Sequence, residues 1–296
     1  MLKSLAIVGA GRVGRALGKR LREEGWRIGA VVARSAGSAA RAVRFIGGGH
    51  AQAGISARVL AAHVILVATP DDQIAAVVRE WITLLGKVGP SELRPSELRG
   101  HVFLHTSGAL DSQVLHPLRS YGAAVGSMHP LQTFSGVGTP PLQGKCFAIE
   151  GDDLALRTAR ALVRSLGGRA IKIGAEKKIL YHAAAALAAG HVLAIEEAAS
   201  RMLMSAGMTR RQAASSLVSL SRQVLDNFER LGGRAAWTGP LARGDYRVVL
   251  AHAQAMSGLP VEYARAYEAL NRLGARVLAS NTKSTLARLD KLAVAQ

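Results

Sequence analysis

Cysteine is all but absent from this 296-residue chain: Cys146 stands alone. One thiol cannot make a disulfide framework or a multi-cysteine metal site, and it fits a reducing compartment, so the expected location is cytoplasmic. Aromatics are also scarce, at 4%. That leaves few rings on which bases could stack. Acidic residues are outnumbered, with Asp+Glu 20 against Lys+Arg 38, and the resulting charge of +18 raises the question of nucleic acid. The basic residues are spread over the whole length without a basic block, which counts against that partner. A positive surface also attracts phosphorylated cofactors and carboxylate substrates. Nothing resembles a signal peptide. The longest apolar segment, 183–199, carries His191, Glu196 and Glu197 and makes a poor membrane span. No His/Cys/Asp/Glu pattern suggests a metal.

What is present begins at once. Leu5-Ala6-Ile7-Val8 is a short apolar run suited to a buried parallel strand. It leads into Gly9-Ala10-Gly11-Arg12-Val13-Gly14, then into a segment where Val13, Leu17 and Leu21 recur every four residues. A second apolar run, 28–33, follows. Strand, glycine turn, helix, strand is the opening unit of a dinucleotide-binding fold. Gly9 would permit the turn, Gly11 the approach of a diphosphate, and Gly14 close packing of helix on strand. The amides that open the helix would meet the phosphates.

The end of the second strand indicates which dinucleotide. A site for NAD places a carboxylate there to hold the ribose hydroxyls. This chain has Val32-Ala33-Arg34-Ser35. A guanidinium and a hydroxyl suit a 2′-phosphate instead, so the expected cofactor is NADP.

Strand and helix patterns alternate through 1–174, which predicts a doubly wound parallel sheet, an α/β Rossmann-type domain. Expected helices include 38–46, 56–62, 73–85 (capped by Asp71) and 154–166. The tandem Ser91-Glu92-Leu93-Arg94 and Ser96-Glu97-Leu98-Arg99 reads as a loop with a helical turn. From Ala175 the pattern becomes long, Ala/Leu-rich and helical over 176–206, 209–231, 245–256 and 260–280. We therefore expect an NADP-binding domain over 1–174 and an all-helical substrate or dimerisation domain over 175–296.

Ligands of open α/β sheets bind beyond the carboxyl ends of the strands. Three polar clusters fall at those ends: Thr69-Pro70-Asp71, His105-Thr106-Ser107 and Ser127-Met128-His129. Thr69, Pro70, His105 and Ser107 are cofactor candidates there, and Ser127 and His129 substrate candidates. Further on, Lys178 and His182 lie four apart on one helical face with Tyr181 beside it. Lys178, His182 or His129 could supply a proton to the atom that a hydride leaves negative. The loop Trp237-Thr238-Gly239-Pro240 to Asp245 offers Thr238 and Arg243, the latter suited to clamp a carboxylate.

These phrases together resemble the Rossmann-like bacterial family whose helical part is catalogued as domain of unknown function 2520. The resemblance rests on Gly9–Gly14, Ala33-Arg34-Ser35, Thr69-Pro70-Asp71-Asp72, His105-Thr106-Ser107-Gly108, 127–134, Tyr181-His182-Ala183-Ala184 and 238–245. It implies an NADP-dependent oxidoreductase, distantly related to pyrroline-5-carboxylate reductases, ketopantoate reductases and deazaflavin:NADP oxidoreductases. The sequence departs from the expected Ser-Asn-His at Ala189-Gly190-His191. The expectation is an NADPH-dependent reductase of a C=O or C=N bond in a small carboxylate-bearing substrate, a 2-oxo acid such as ketopantoate or a cyclic imine, working as a homodimer. The alternative is an NADP-binding sensor without chemistry.

Overall fold

The computed structural model describes residues 4–86 and 98–294. The tandem tetrads of 91–99 therefore lie almost wholly outside the described residues. Eight strands form one sheet: β1 (Ser4–Val8), β2 (Arg27–Ala33), β3 (His50–Ala53), β4 (Val64–Val67), β5 (Val102–His105), β6 (Ala124–Pro130), β7 (Cys146–Gly151) and β8 (Arg169–Lys172). Helices α1 (Arg12–Glu23), α2 (Ala36–Ile46), α3 (Asp71–Gly86) and α4 (Asp153–Ser165) connect them, with 3-10 turns at Ala57–Ala61 and Ser112–Tyr121.

The strand order is β3-β2-β1-β4-β5-β6-β7-β8. Neighbours are parallel from β3 through β6 and again between β7 and β8, but β6 and β7 run antiparallel. The expected all-parallel sheet is thus corrected at one seam, where the chain leaves β6 through a long loop and returns beside it. β3 is also an addition to the reading; His50-Ala51-Gln52-Ala53 has no apolar pattern because it is a largely exposed edge.

The centre of the sheet follows from strand periodicity. Leu5 and Ile7 pack on one face with Leu17, Leu21 and Leu162, while Ala6 and Val8 pack on the other with Ile74 and Trp81. Both faces of β1 are therefore buried, which is why its sequence is apolar without alternation. Ser35 caps α2 as an N-terminal oxygen acceptor for the Ser38 amide, and Gly47 ends that helix in the left-handed region.

Compact units divide the chain at Met1–Ala189 and Gly190–Gln296. Strands end at Lys172, close to the expected change at 174, but the first unit continues through α5 (Lys178–Ala186). Lys178 and Tyr181 bond to the sheet and hold that helix to it. A π-turn, Leu187–His191, follows, then α6 (Val192–Ser205), α7 (Arg210–Leu231), α8 (Gly233–Ala236), α9 (Pro240–Arg243), α10 (Tyr246–Ala255), α11 (Val261–Val277) and α12 (Thr282–Val294). The second unit is helical among the described residues. Its capping box, Thr209 with Gln212, opens α7 where the sequence placed it. The run Ala175–Ser205 is long and apolar enough to cross a membrane by length and composition.

Candidate functional site

The glycine turn has the expected form. Gly9 has φ +98°, a conformation open to glycine, and a Cβ there would lie 2.6 Å from the backbone of Ala68 and Thr69. A Cβ at Gly14 would collide with the Gly9 carbonyl, so α1 rests directly on the turn. At Gly11 a Cβ would meet open space. The turn is therefore packed on the protein side and clear on the outer side, where a diphosphate would approach the α1 amides. Beside it the Thr69 hydroxyl is buried and without a hydrogen-bond partner. Buried hydroxyls are seldom left so. An orphaned donor next to an open glycine cradle fits a dinucleotide.

The end of β2 also fits a phosphorylated ribose. Arg34 and Ser35 are exposed. The first turn of α2 has no acidic residue. Two residues that the sequence reading missed join them: Ser38, whose hydroxyl accepts from Ser35 at 3.0 Å, and Arg41, which donates to Ser38 at 2.9 Å. Helical spacing could have found them, since residues three and six past Ser35 return to the same helix end.

The three strand-end clusters and α5 meet within the first unit. Ser107 donates to the Asp71 carboxylate at 2.7 Å, so Asp71 ties α3 to the β5 loop. This corrects its expected capping role: α3 starts at Asp71 itself. Ser127 and His129 lie inside β6, because that strand runs on to Pro130 against β7. Lys178, only 2% exposed, donates to the Ser107 carbonyl at 3.0 Å and to Ser127 Oγ at 2.8 Å. His129 Nδ1 is 2.8 Å from the Tyr181 hydroxyl. The His129 and His182 rings meet edge to face with centroids 5.7 Å apart. Gly108 fits against both: a Cβ there would lie 2.5 Å from His182 Nδ1 and 2.9 Å from His129 Nε2.

Burial sets the protonation of this cluster. It pushes His129 down to about 4, helped by His182 and Lys178. It pushes His105 to about 3, helped by Lys178. Neutral His105 has a defined tautomer: Nδ1 accepts from the Ser107 amide at 3.2 Å, so Nε2–H donates to the Asp111 carbonyl at 3.0 Å. Burial raises Tyr181 to about 12, so its phenol stays protonated. Lys178 is lowered to about 8 by burial, with Glu150, Asp111 and Asp71 opposing the shift in that order. Lys178 is thus an ammonium able to exchange a proton near neutrality beside the neutral imidazoles of His105 and His129 and the Tyr181 phenol.

Glu150 and Ser112 escaped the sequence reading. Glu150 accepts from the Ser112 amide at 2.8 Å and hydroxyl at 2.7 Å, and Ser127 Oγ is 3.5 Å away. The signal was a carboxylate ending an otherwise apolar strand, visible only once β7 is known to run antiparallel beside Ser127. Thr238 and Arg243 belong to the second unit, where Arg243 Nε pairs with Asp245 at 3.0 Å. Pro70 directly precedes α3.

Residues 145–273 match the family model of the domain of unknown function DUF2520, and residues 2–130 match that of a Rossmann-like domain. No curated protein matches the chain. Among solved structures, a candidate NADP oxidoreductase from Bacteroides fragilis is similar at 20% identity and TM-score 0.72, covering 92% of this chain and 98% of that one. A reductive aminase from Aspergillus terreus, in complex with NADPH4, cyclohexanone and allyl amine, has 18% identity and TM-score 0.64 over 97% and 99% of the two chains. A pyrroline-5-carboxylate reductase from Coxiella burnetii has 15% identity and TM-score 0.56 over 97% of each.

Proposed function

We propose that the chain, with its Rossmann-like and DUF2520 parts, is an NADPH-dependent oxidoreductase. It reduces a C=O or C=N bond of a small carboxylate-bearing substrate, a 2-oxo acid such as ketopantoate or a cyclic imine. The observation that carries this reading is the buried Lys178 ammonium set among His129, Tyr181 and His182 in the unit that also holds the open glycine turn. Solved structures of similar fold include a candidate NADP oxidoreductase, a reductive aminase and a pyrroline-5-carboxylate reductase, which supports the same class.

The residues divide by task. The turn Gly9–Gly14, through Ala10, Arg12 and Val13 and the α1 amides, would hold the diphosphate, with Thr69, Pro70, His105 and Ser107 along the neighbouring strand ends. Arg34 and Ser35, extended by Ser38 and Arg41, would take the 2′-phosphate. When bound, NADPH supplies the hydride. Lys178 is the proton donor of this reading, because its pKa of about 8 leaves it charged at neutral pH yet able to release a proton. His129, neutral with its pKa near 4, orients the substrate with Tyr181 and Ser127 rather than donating a charge-balancing proton. His182 is exposed at the edge of the cluster and shares the contact with substrate. Thr238 and Arg243 stay candidates for the substrate carboxylate; engaging it would require Arg243 to exchange Asp245. We also propose a homodimer, and a reducing cytoplasm, the latter supported by the single cysteine. Lys178, held by the sheet at the start of the apolar run, supports this over a membrane span.

The test is titration with NADPH and NADH, followed by NADPH consumption across 2-oxo acids and cyclic imines. We expect NADPH to bind at least tenfold more tightly than NADH. Arg34→Ala should erase about 10- to 100-fold of NADPH affinity and leave NADH unchanged, as loss of charge-assisted bonds to one phosphate predicts. Binding of neither nucleotide would overturn the reading, and binding without consumption of NADPH would leave a sensor.

A further inference from the structure

The site holds one buried carboxylate that the proposed reaction does not itself need. Register places it: His105 of β5 pairs with Ser127 of β6, and Ser127 pairs with Glu150 of β7. Imidazole, hydroxyl and carboxylate thus form a row across three neighbouring strands, each 8% exposed or less. Lys178 bonds to the middle of that row. Its Nζ donates to Ser127 Oγ at 2.8 Å, and that hydroxyl, having accepted one hydrogen, turns its own toward Glu150 Oε2 at 3.5 Å. Ser112 holds the carboxylate from the other side through its amide and its hydroxyl.

An ammonium taken out of water needs both hydrogen-bond acceptors and a compensating charge. The acceptors are the Ser107 carbonyl and the Ser127 hydroxyl. Three carboxylates face it: Glu150 from β7, Asp111 from the segment before the 3-10 turn, and Asp71 from α3. Asp71 is engaged by the Ser107 hydroxyl, and Asp111 accepts from the Gln113 amide. The other titratable groups against Lys178 are His105 and His129, both neutral at pH 7. Glu150 alone is joined to Lys178 through a single hydroxyl.

We propose that Glu150, acting through Ser127 and steadied by Ser112, is the positioning residue and counter-ion of Lys178. It fixes the ammonium against Ser127 of β6 and keeps it charged until substrate arrives. Its catalytic meaning rests on reading Lys178 as the proton donor; the charge pairing itself does not.

The experiment follows the titration of Lys178 in the cofactor-free protein by NMR with lysine-selective carbon-13 labelling. The resonance is assigned by its loss in Lys178→Met. Glu150→Gln should lower the Lys178 midpoint by about one pH unit or more, the size expected for losing a nearby opposite charge. Ser127→Ala should lower it by less, and Glu150→Asp should recover part of the shift. A Lys178 midpoint unmoved by either Glu150→Gln or Ser127→Ala would overturn the proposal. Should Glu150→Gln fail to fold, Glu150→Asp decides, since it keeps the charge but draws it back from Ser127: a lowered Lys178 midpoint is expected and an unmoved one overturns the proposal. A wild-type protein that binds no NADPH would sink the reductase reading and leave this titration as it is, so the two failures are distinguishable.

Discussion

Single side chains in this site are governed by desolvation, and their behaviour with pH follows from it. His105 and His129 have folded-state pKa values near 3 and 4, below the ordinary 6.5. As pH falls from 6.5, the unfolded chain takes up protons that the folded chain refuses. Stability is therefore complete above about 6.5, drains as pH falls from there to the folded values and levels off below them, by about 1.4 kcal/mol for each unit of separation at most. The melting temperature should fall steeply between pH 6.5 and 4, and His105→Gln should flatten that slope; an equal slope in the variant would exonerate His105. Lys178 works in the opposite pH range. If it donates the proton, turnover with an active panel substrate should decline above about pH 8 as the ammonium is lost. Lys178→Met should abolish turnover while retaining NADPH affinity. His182→Ala should also lower turnover with affinity nearly intact, and unchanged turnover would remove His182 from the site. Gly108→Ala tests how closely the rings are set. Its methyl would press on His182 Nδ1 and His129 Nε2, so turnover should drop by about 10- to 100-fold, as small misplacements at a reacting centre do.

At the scale of elements, the β1-turn-α1 corner allows two neighbouring glycines to be separated by experiment. Gly14→Ala drives a methyl into the Gly9 carbonyl and should destabilise the fold by about 1–3 kcal/mol, the usual cost of overpacking, as well as weaken NADPH binding. Gly11 has ordinary negative φ and open space around its missing Cβ. Gly11→Ala should leave the melting temperature nearly unchanged while weakening NADPH at least tenfold. Equal effects of the two changes on stability would mean that Gly11 is packed rather than open. This corner was legible in the sequence because it is local: strand, glycines and helix are contiguous, and each obeys its own periodicity. The grouping of Ser107 with Ser127 was legible only in part, because β6 runs on past Ser127, and the meeting of Lys178 with both depends on how α5 is held to the sheet. The reversal at β7 was not legible, since strand direction depends on a long loop whose path no local propensity encodes. Without it Glu150 had no visible partner, and Asp71 read as a cap although its carboxylate belongs to Ser107. The 3-10 turn Ser112–Tyr121, with Pro117 inside it, carries too irregular a pattern to be read as a helix.

For the whole molecule, the open matter is what covers the apolar surface of the second unit. Its buried cluster, Leu241, Val249, Ala275 and Leu289, is drawn from α9 to α12. Helices α6 and α7 contribute nothing to that cluster, yet Leu193, Leu220, Val224, Leu225, Phe228 and Leu231 on them are each at least half exposed. At on the order of 100 Å² each, six such side chains make a face approaching the roughly 800 Å² that one partner of a standard interface buries. Monomers rarely leave that much contiguous apolar surface in water. A lipid surface is a poor occupant, because the polar side of α7 opposite these residues sets Asp226 and Glu229 against Arg222 and Arg230 instead of being rich in Lys and Arg. In the homodimer proposed above, a second copy of the chain would meet the face with an equivalent one, as two-fold interfaces require. Light scattering should therefore find twice 31.1 kDa. The paired change Leu225→Asp and Phe228→Asp should shift the mass to the single chain and lower the melting temperature. A wild-type protein of single-chain mass, with these helices well protected from hydrogen exchange, would require the face to be covered from within the same chain.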